Sequence, residues 1–130
     1  MNFRRTNEMD RETLARWVAA DSWHNCGDES FWITEGAFAQ EDSVGTVMYW
    51  RIIHLTPTRV EAHIQFGPES EVSRKRVAVG FIGSLPHIFA ASKKTGATEI
   101  AFDSTSPSLI EFMRKFGFVN EAEDTYVRKL

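Results

Sequence analysis

The spacing of apolar residues changes from one stretch of the chain to the next, and each spacing predicts an element. Residues 2–6 are expected to form a short first strand. A helix is expected next, capped by Asn7 or Asp10 and ending near Asp21, because its apolar residues recur every three or four positions. Those residues are Leu14, Trp17 and Val18.

The middle of the chain has the pattern of a sheet. Residues 37–40 and 46–55 predict a hairpin around Glu41-Asp42-Ser43, with Gly45 available for a bulge. The second of these strands is apolar on both faces, which is typical of a central strand covered on both sides. Residues 59–66 alternate between polar and apolar side chains and predict a half-buried strand.

The second half of the chain begins with a long helix. It is expected to follow a loop at 69–76 and to end near Lys94, before Gly96. Pro86 lies inside it and is expected to kink or split it, because proline removes one backbone hydrogen bond. The remaining elements are short: a strand at 99–103, a helix at 107–116 capped by Ser106, and a hairpin of strands at 118–121 and 125–129.

This order of elements, which ends in Phe112-Met113-Arg114-Lys115-Phe116-Gly117-Phe118, resembles the Gcn5-related N-acetyltransferase (GNAT) superfamily. The resemblance covers nearly the whole chain, with one helix of the usual first pair shortened or missing. It implies an α/β fold in which a mixed, mostly antiparallel twisted sheet carries helices on both faces. We expect a single domain over residues 1–130, because a hydrophobic content of 42% is enough for one core at this length.

The resemblance also implies that acetyl-CoA binds where the long helix begins. The family's phosphate loop, Gln/Arg-x-x-Gly-x-Gly/Ala, fits best at Lys75-Arg76-Val77-Ala78-Val79-Gly80, and a register one residue earlier places valines at the small positions. The alternative is a solvated helix start whose positive charge is partly offset by nearby glutamates. The cofactor-binding residues implied by the resemblance are Arg74, Lys75, Arg76, Ala78 and Gly80, with Ser106 at the position of a family Asn in the later helix.

The residue that usually protonates the leaving thiolate is absent from its family position. A Tyr normally stands four residues before the Gly-Phe pair, and here Met113 stands there, whose thioether cannot donate a proton. Glu61 and His63 are candidate catalytic bases, because they share one face of the strand that would flank the acyl group. The alternative is a polar sheet face with a cross-strand ion pair, to which Arg51 would contribute.

A polar break at residues 24–29 contains three side chains of types that ligate metals: His24, Cys26 and Asp28. The rest of the sequence supplies no spaced set of further ligands. We therefore expect a solvated loop and no metal site.

Composition and charge narrow the class of function. The net charge of −3 argues against a general role in binding nucleic acid or a membrane surface. The single cysteine, Cys26, excludes an internal disulfide framework and suits a reducing compartment. No stretch approaches the ~18 consecutive apolar residues of a membrane span, and no apolar leader follows Met1. A cytoplasmic protein is expected.

Two functions remain open at this point. One is an acyl-CoA-dependent N-acetyltransferase whose acceptor is a small amine or a protein amine. The other is a non-catalytic GNAT-fold protein with a protein partner, because small divergent proteins of this plan resemble some encoded by tailed bacteriophages, head-assembly factors among them. A phage-encoded chain would act in the host cytoplasm. The strand and tryptophan content would also allow a homodimer, through an edge strand or through Phe31-Trp32.

Overall fold

The computed structural model describes residues 1–21 and 27–130 of the chain. The helices are α1 (Arg11–Ala20), α2 (Arg74–Lys94) and α3 (Pro107–Arg114), and short 3-10 turns lie at Glu8–Asp10 and Glu29–Trp32. The strands are β1 (Asn2–Arg5), β2 (Ala37–Glu41), β3 (Thr46–His54), β4 (Arg59–Phe66), β5 (Glu99–Asp103), β6 (Val119–Ala122) and β7 (Thr125–Lys129). Each predicted element is present, in the predicted order.

The seven strands form one mixed sheet in the order β1-β2-β3-β4-β5-β7-β6. The pairs β1–β2, β2–β3, β5–β7 and β6–β7 are antiparallel, and β4–β5 is parallel. The parallel pair needs a crossover connection, which α2 provides. The predicted α/β fold with a mixed, mostly antiparallel sheet is confirmed.

The contacts divide the chain into two compact units, and the first comprises residues 1–51 and 64–87. Both faces of β3 are covered in this unit, because neighbouring residues on a strand point to opposite sides. Tyr49 packs edge-on against Trp17 of α1, with ring centroids 5.3 Å apart, and Trp50 packs against Phe81 of α2 at 5.5 Å. The prediction that β3 is a central strand covered on both sides is therefore confirmed.

The second unit comprises residues 52–63 and 88–130. An aromatic cluster forms its core. Phe102 of β5 stacks on Tyr126 of β7 at 5.3 Å and meets Phe118 edge-on at 5.1 Å. The Arg128 guanidinium lies over the ring of Phe89 in the last turns of α2, 4.0 Å from its centroid. These contacts pack the final hairpin against β5 and the last turns of α2.

Several predicted details of the helices are wrong. α2 begins at Arg74, so the basic residues expected in the preceding loop form its first turn. Of the two effects predicted for Pro86, a split of α2 is absent and a kink stays a prediction. Pro86 lies in the helix interior on the exposed side, where water can hydrate the carbonyl group that lost its donor. α3 ends at Arg114 rather than at residue 116.

Gly96 follows the end of α2 with φ of 92°, as its predicted role as terminator requires.

The polar side of β4 also differs from the predicted alternation. Gln65 is 4% exposed, although its position in the pattern predicted a solvated side chain. Its Nε2 donates a hydrogen bond to Oδ2 of Asp21 at 3.0 Å, which offsets the loss of water around the amide. Separately, no helix among the described residues is long and apolar enough to cross a membrane.

Candidate functional site

The start of α2 is defined by Ser73. Its Oγ accepts a hydrogen bond from the N–H of Arg76 at 3.2 Å, and its carbonyl oxygen accepts one from the N–H of Val77 at 3.0 Å. The N–H groups of Arg74 and Lys75 precede these bonds, and no hydrogen bond within the described part of the chain uses them. Two donors at the positive end of the helix dipole are thus left for a ligand.

The three basic side chains of this turn differ in their surroundings. Arg74 is highly exposed and makes a loose ion pair with Glu69, with 3.2 Å between Nε and Oε1. Lys75 is also exposed. Arg76 binds Asp42 in the β2–β3 turn through two nitrogens on one edge of its guanidinium, at 2.7 Å from Nε to Oδ2 and 2.8 Å from Nη2 to Oδ1. The predicted cluster of three cations therefore contains two accessible ones and one held by a carboxylate.

Ala78 and Gly80, the predicted small residues of a phosphate loop, lie inside the helix. Their N–H groups are past the first turn, where backbone groups bond within the helix. Gly80 is buried, and a Cβ atom there would lie only 2.5 Å from Cγ2 of Val47 in β3. Close packing of α2 on β3 is thus sufficient reason for glycine at this position. A phosphate-binding role for Ala78 and Gly80 stays a prediction.

An open cavity of about 220 Å³ lies beside the start of α2. Its walls include Arg76, the hairpin-turn residue Gly45 and Thr46, the first residue of β3. A second doubly bonded ion pair borders it, in which Arg16 of α1 reaches Glu71 at 2.6 and 2.8 Å. The hydrogen bonds from Arg16 lower the pKa of Glu71, so this carboxylate remains charged at neutral pH.

The candidate catalytic residues meet on β4. Nε2 of His63 lies 2.6 Å from Oε1 of Glu61, and the side chains are 25% and 20% exposed. The parallel register of β4 with β5 runs from Arg59↔Glu99 to Glu61↔Ala101, while the strands continue to Phe66 and Asp103. The structure therefore brings Glu61 and His63 together, partly accessible to solvent, where this register ends.

The alternative prediction for this face, a cross-strand ion pair, is present between Arg59 and Glu99, but Arg51 takes no part in it. We expected a cross-strand ion pair to which Arg51 contributes, but Arg51 donates from Nη1 to the carbonyl oxygen of Phe31 at 3.0 Å and lies over its ring. The cross-strand ion pairs of the second unit come from Arg59 instead. Its guanidinium binds Glu99 at 2.9 Å and Glu121 at 2.7 and 3.0 Å. Arg59 thereby joins three strands beside Glu61, a role that sequence reasoning missed.

Two residues that the GNAT resemblance singles out lie at the start of α3 and within it: Ser106 and Met113. Ser106 is the N-cap of α3 and its Oγ accepts from the N–H of Leu109 at 3.4 Å, as predicted for a cap. Met113 is 1% exposed and belongs to the core. A thioether at this position, buried as well as unable to donate a proton, supplies no acid for catalysis.

Half of the predicted loop with metal-ligating residue types, including His24 and Cys26, lies outside the described residues. Asp28 caps the 3-10 turn by accepting from the N–H of Ser30 at 2.9 Å. Within residues 1–21 and 27–130, no group of three histidine, cysteine or acidic side chains is placed to hold a metal.

Comparison with known proteins gives a result for structure but not for sequence. No protein-family model matches the chain, and no curated protein sequence does. Among solved structures, Ard1 from Thermoplasma volcanium matches with a TM-score of 0.75 at 14% identity, over 99% of this chain and 97% of that one. The fold is GNAT-like.

Two further structures with this fold extend the comparison. Aminoglycoside 6'-acetyltransferase type Ii has a TM-score of 0.72 at 14% identity, over 99% of this chain and 97% of that one. N-acetylglutamate synthase from Neisseria gonorrhoeae, crystallised with coenzyme A and N-acetyl-glutamate, has a TM-score of 0.74 at 14% identity. The match covers 99% of this chain but only 35% of that enzyme. At such identities the likeness establishes the GNAT-like fold alone.

Proposed function

We propose that this protein is an acyl-CoA-dependent N-acetyltransferase acting on a small amine or a protein amine. The observation that carries the proposal is the Glu61–His63 pair on β4, partly exposed where the parallel register with β5 ends, in a fold similar to that of solved acetyltransferases. A fold does not fix a function, so the proposal depends on the side chains of β4 and on the start of α2.

The start of α2 suits the phosphates of acetyl-CoA. It offers the N–H groups of Arg74 and Lys75 at the positive end of a 21-residue helix, together with two exposed cationic side chains. Similar solved structures are described as complexes with coenzyme A. In our proposal Arg74 and Lys75 contribute most of the binding. Ala78 and Ser106 stay predicted cofactor-binding residues with smaller contributions. For the other two predicted residues we propose no contribution in the wild type, because Arg76 is held by Asp42 and Gly80 packs closely on Val47.

The proposed reaction requires a base on β4 that removes a proton from the acceptor amine. Glu61 or His63 takes a proton from the ammonium group, and the neutral nitrogen attacks the thioester carbonyl carbon. A carbon–nitrogen bond forms, the carbon–sulfur bond breaks, and the sulfur leaves as the thiolate of coenzyme A. Because Met113 cannot donate, the thiolate takes its proton from water, and the hydroxide so formed accepts the second proton that the nitrogen loses as the amide forms. The products are an amide and coenzyme A, and turnover is slow because one positioned proton transfer is missing.

An acetyl-transfer assay on variants of Glu61 and His63, with a histidine variant elsewhere as control, tests this proposal. We expect His63→Gln and Glu61→Gln each to lower kcat by about 10²-fold or more, since positioned proton transfer contributes roughly 10²–10⁴-fold. The control is His54→Gln, because His54 lies exposed at the end of β3 and its hydrogen bond within the described residues is local, to the carbonyl oxygen of Thr56. Equal rates in all three variants and the wild type would contradict the assignment of Glu61 and His63.

Variants of Met113 extend the same assay. Met113→Leu is expected to keep the wild-type rate, because neither side chain donates a proton and the volume changes little. Met113→Tyr introduces a donor at the family's position and is expected to raise the rate, provided that its melting temperature shows the larger side chain is accommodated. A wild-type rate on the order of 1 s⁻¹ or faster would contradict the idea that the missing acid limits turnover.

The second candidate is a non-catalytic binding or assembly module with a protein partner. The observation that favours it is Met113, because its thioether leaves the family's acid position without a proton donor. The comparisons add no support for a role in phage head assembly. If neither the wild type nor Met113→Tyr transfers acetyl groups or binds acetyl-CoA, the module is the better account. A homodimer stays a prediction, and a strict monomer at tens of micromolar in sedimentation would refute it.

A further inference from the structure

The Asp42–Arg76 ion pair, here called the clasp, links the β2–β3 turn to the first turn of α2. Arg76 is the third residue of the helix and gives two hydrogen bonds, of 2.7 and 2.8 Å, to the carboxylate of Asp42. Oδ1 of Asp42 also accepts from the N–H groups of Val44 and Gly45, at 2.9 and 3.1 Å. The carboxylate is therefore fixed by its own turn before it binds the guanidinium.

Arg76 would otherwise be placed to reach a ligand at the helix start. Side chains on a helix tilt toward its N-terminus, so a long side chain in the first turn can extend past the first N–H groups. A phosphate at that point must compete with Asp42 for the guanidinium. The hydrogen bonds from Arg76, with those of the Val44 and Gly45 N–H groups, hold the pKa of Asp42 well below its usual range. The competing carboxylate is therefore ionised at neutral pH.

We propose that Asp42 limits the affinity of the α2 start for phosphate-bearing ligands by holding Arg76 out of the site. The inference rests on the proposed function, because the ligand whose affinity it sets is acetyl-CoA. It assigns opposite roles to neighbouring cations: Arg74 and Lys75 bind the ligand in the wild type, whereas Arg76 binds only when the clasp opens. A change that loosens the β2–β3 turn would then strengthen acyl-CoA binding.

The test is a calorimetric titration of acetyl-CoA into the wild type and four variants. Asp42→Asn keeps an oxygen for the turn N–H groups and removes the charge, and we expect its Kd to fall roughly threefold to tenfold. Arg76→Ala is expected to leave the Kd within about twofold of wild type. The double variant Asp42→Asn with Arg76→Ala is expected to lose the gain. Glu35→Gln, at an exposed position, is the control for net charge.

Each result decides the inference. A gain in Asp42→Asn that disappears with Arg76 supports it, and so does binding by Asp42→Asn when the wild type fails to bind. A gain that persists without Arg76, or that Glu35→Gln reproduces, overturns it in favour of a net-charge effect. Wild-type binding with no gain overturns the inference and leaves the proposed function standing. No binding by any variant overturns both.

Folding is checked by the melting temperature of each variant. If Asp42→Asn is unfolded, Asp42→Ser replaces it, because a hydroxyl group also accepts hydrogen bonds from turn N–H groups. The same gain is expected from Asp42→Ser, and the same dependence on Arg76. Its absence in a folded Asp42→Ser variant that binds acetyl-CoA overturns the inference.

Discussion

Asp10 is the most heavily bonded buried carboxylate described in this chain. It is 4% exposed and accepts two hydrogen bonds from Arg4, at 2.7 and 2.9 Å. The N–H of Asn7 donates to it at 2.9 Å and the hydroxyl group of Tyr49 at 3.1 Å. Burial alone would raise the pKa of Asp10, but these donors outweigh burial and the pKa is lowered. The charge is thus stabilised by the fold.

Replacing Asp10 with Asn is expected to lower the free energy of unfolding at pH 7 by about 2–4 kcal/mol, because Arg4 loses its buried partner. A carboxyl group whose pKa falls on folding stabilises the protein above its unfolded pKa. That contribution is lost as the pH falls through the folded pKa. The difference between wild type and variant should therefore shrink below about pH 4. Urea unfolding at pH 7, 5, 4 and 3 measures it, and a difference that stays constant would contradict this account.

At the scale of an element, α2 offers two glycines for comparison, Gly80 and Gly83. Alanine favours a helix interior over glycine by roughly 0.5–1 kcal/mol, so the intrinsic gain is the same at both positions. An added Cβ at Gly80 meets Cγ2 of Val47 at 2.5 Å, in the buried contact with β3. At Gly83 it meets Sδ of Met1 at 2.7 Å, and Met1 is 70% exposed at the chain terminus. Only the second neighbour has room to move.

Gly80→Ala is therefore expected to destabilise the protein by about 1–3 kcal/mol, the range for overpacking a core. Gly83→Ala is the matched control and is expected to be neutral or slightly stabilising. Urea unfolding at pH 7 compares them. Gly80→Ala should also keep acetyl-CoA affinity under conditions where it is folded. A stable Gly80→Ala variant with weakened binding would instead show that the glycine serves the phosphate site.

At the scale of elements, the spacing of apolar residues and local caps predicted most helices and strands but not all of their details. The strands and helices were predictable because apolar spacing, Ser106 at a cap and Gly96 past a helix end are local signals. The start of α2 was predicted too late because three successive basic residues were assigned to a loop, whereas Ser73 caps the helix before them. Gln65 broke the alternation because its partner, Asp21, lies 44 residues away in the sequence.

At the scale of the whole molecule, the fold was predictable and the site only in part. The Glu61–His63 pair follows from two residues on one face of a strand, so the sequence was sufficient to place them together. The pairs Arg76–Asp42 and Arg59–Glu121 join residues 34 and 62 positions apart, and no local pattern indicates such contacts. Sequence reasoning therefore assigned Arg76 to phosphate and gave Arg59 no role.

The central claim is that the start of α2 binds acetyl-CoA, and calorimetric titration of the wild-type chain tests it most directly. We predict micromolar binding, weakened by about 1–3 kcal/mol in the double variant Arg74→Ala with Lys75→Ala, because charge-assisted hydrogen bonds to phosphate are lost. This loss should shrink at high salt. Lys93→Ala with Lys94→Ala, in the last turn of the same helix, is the matched control and should bind as the wild type does. No binding at millimolar acetyl-CoA, or an unchanged Kd without Arg74 and Lys75, would contradict the account.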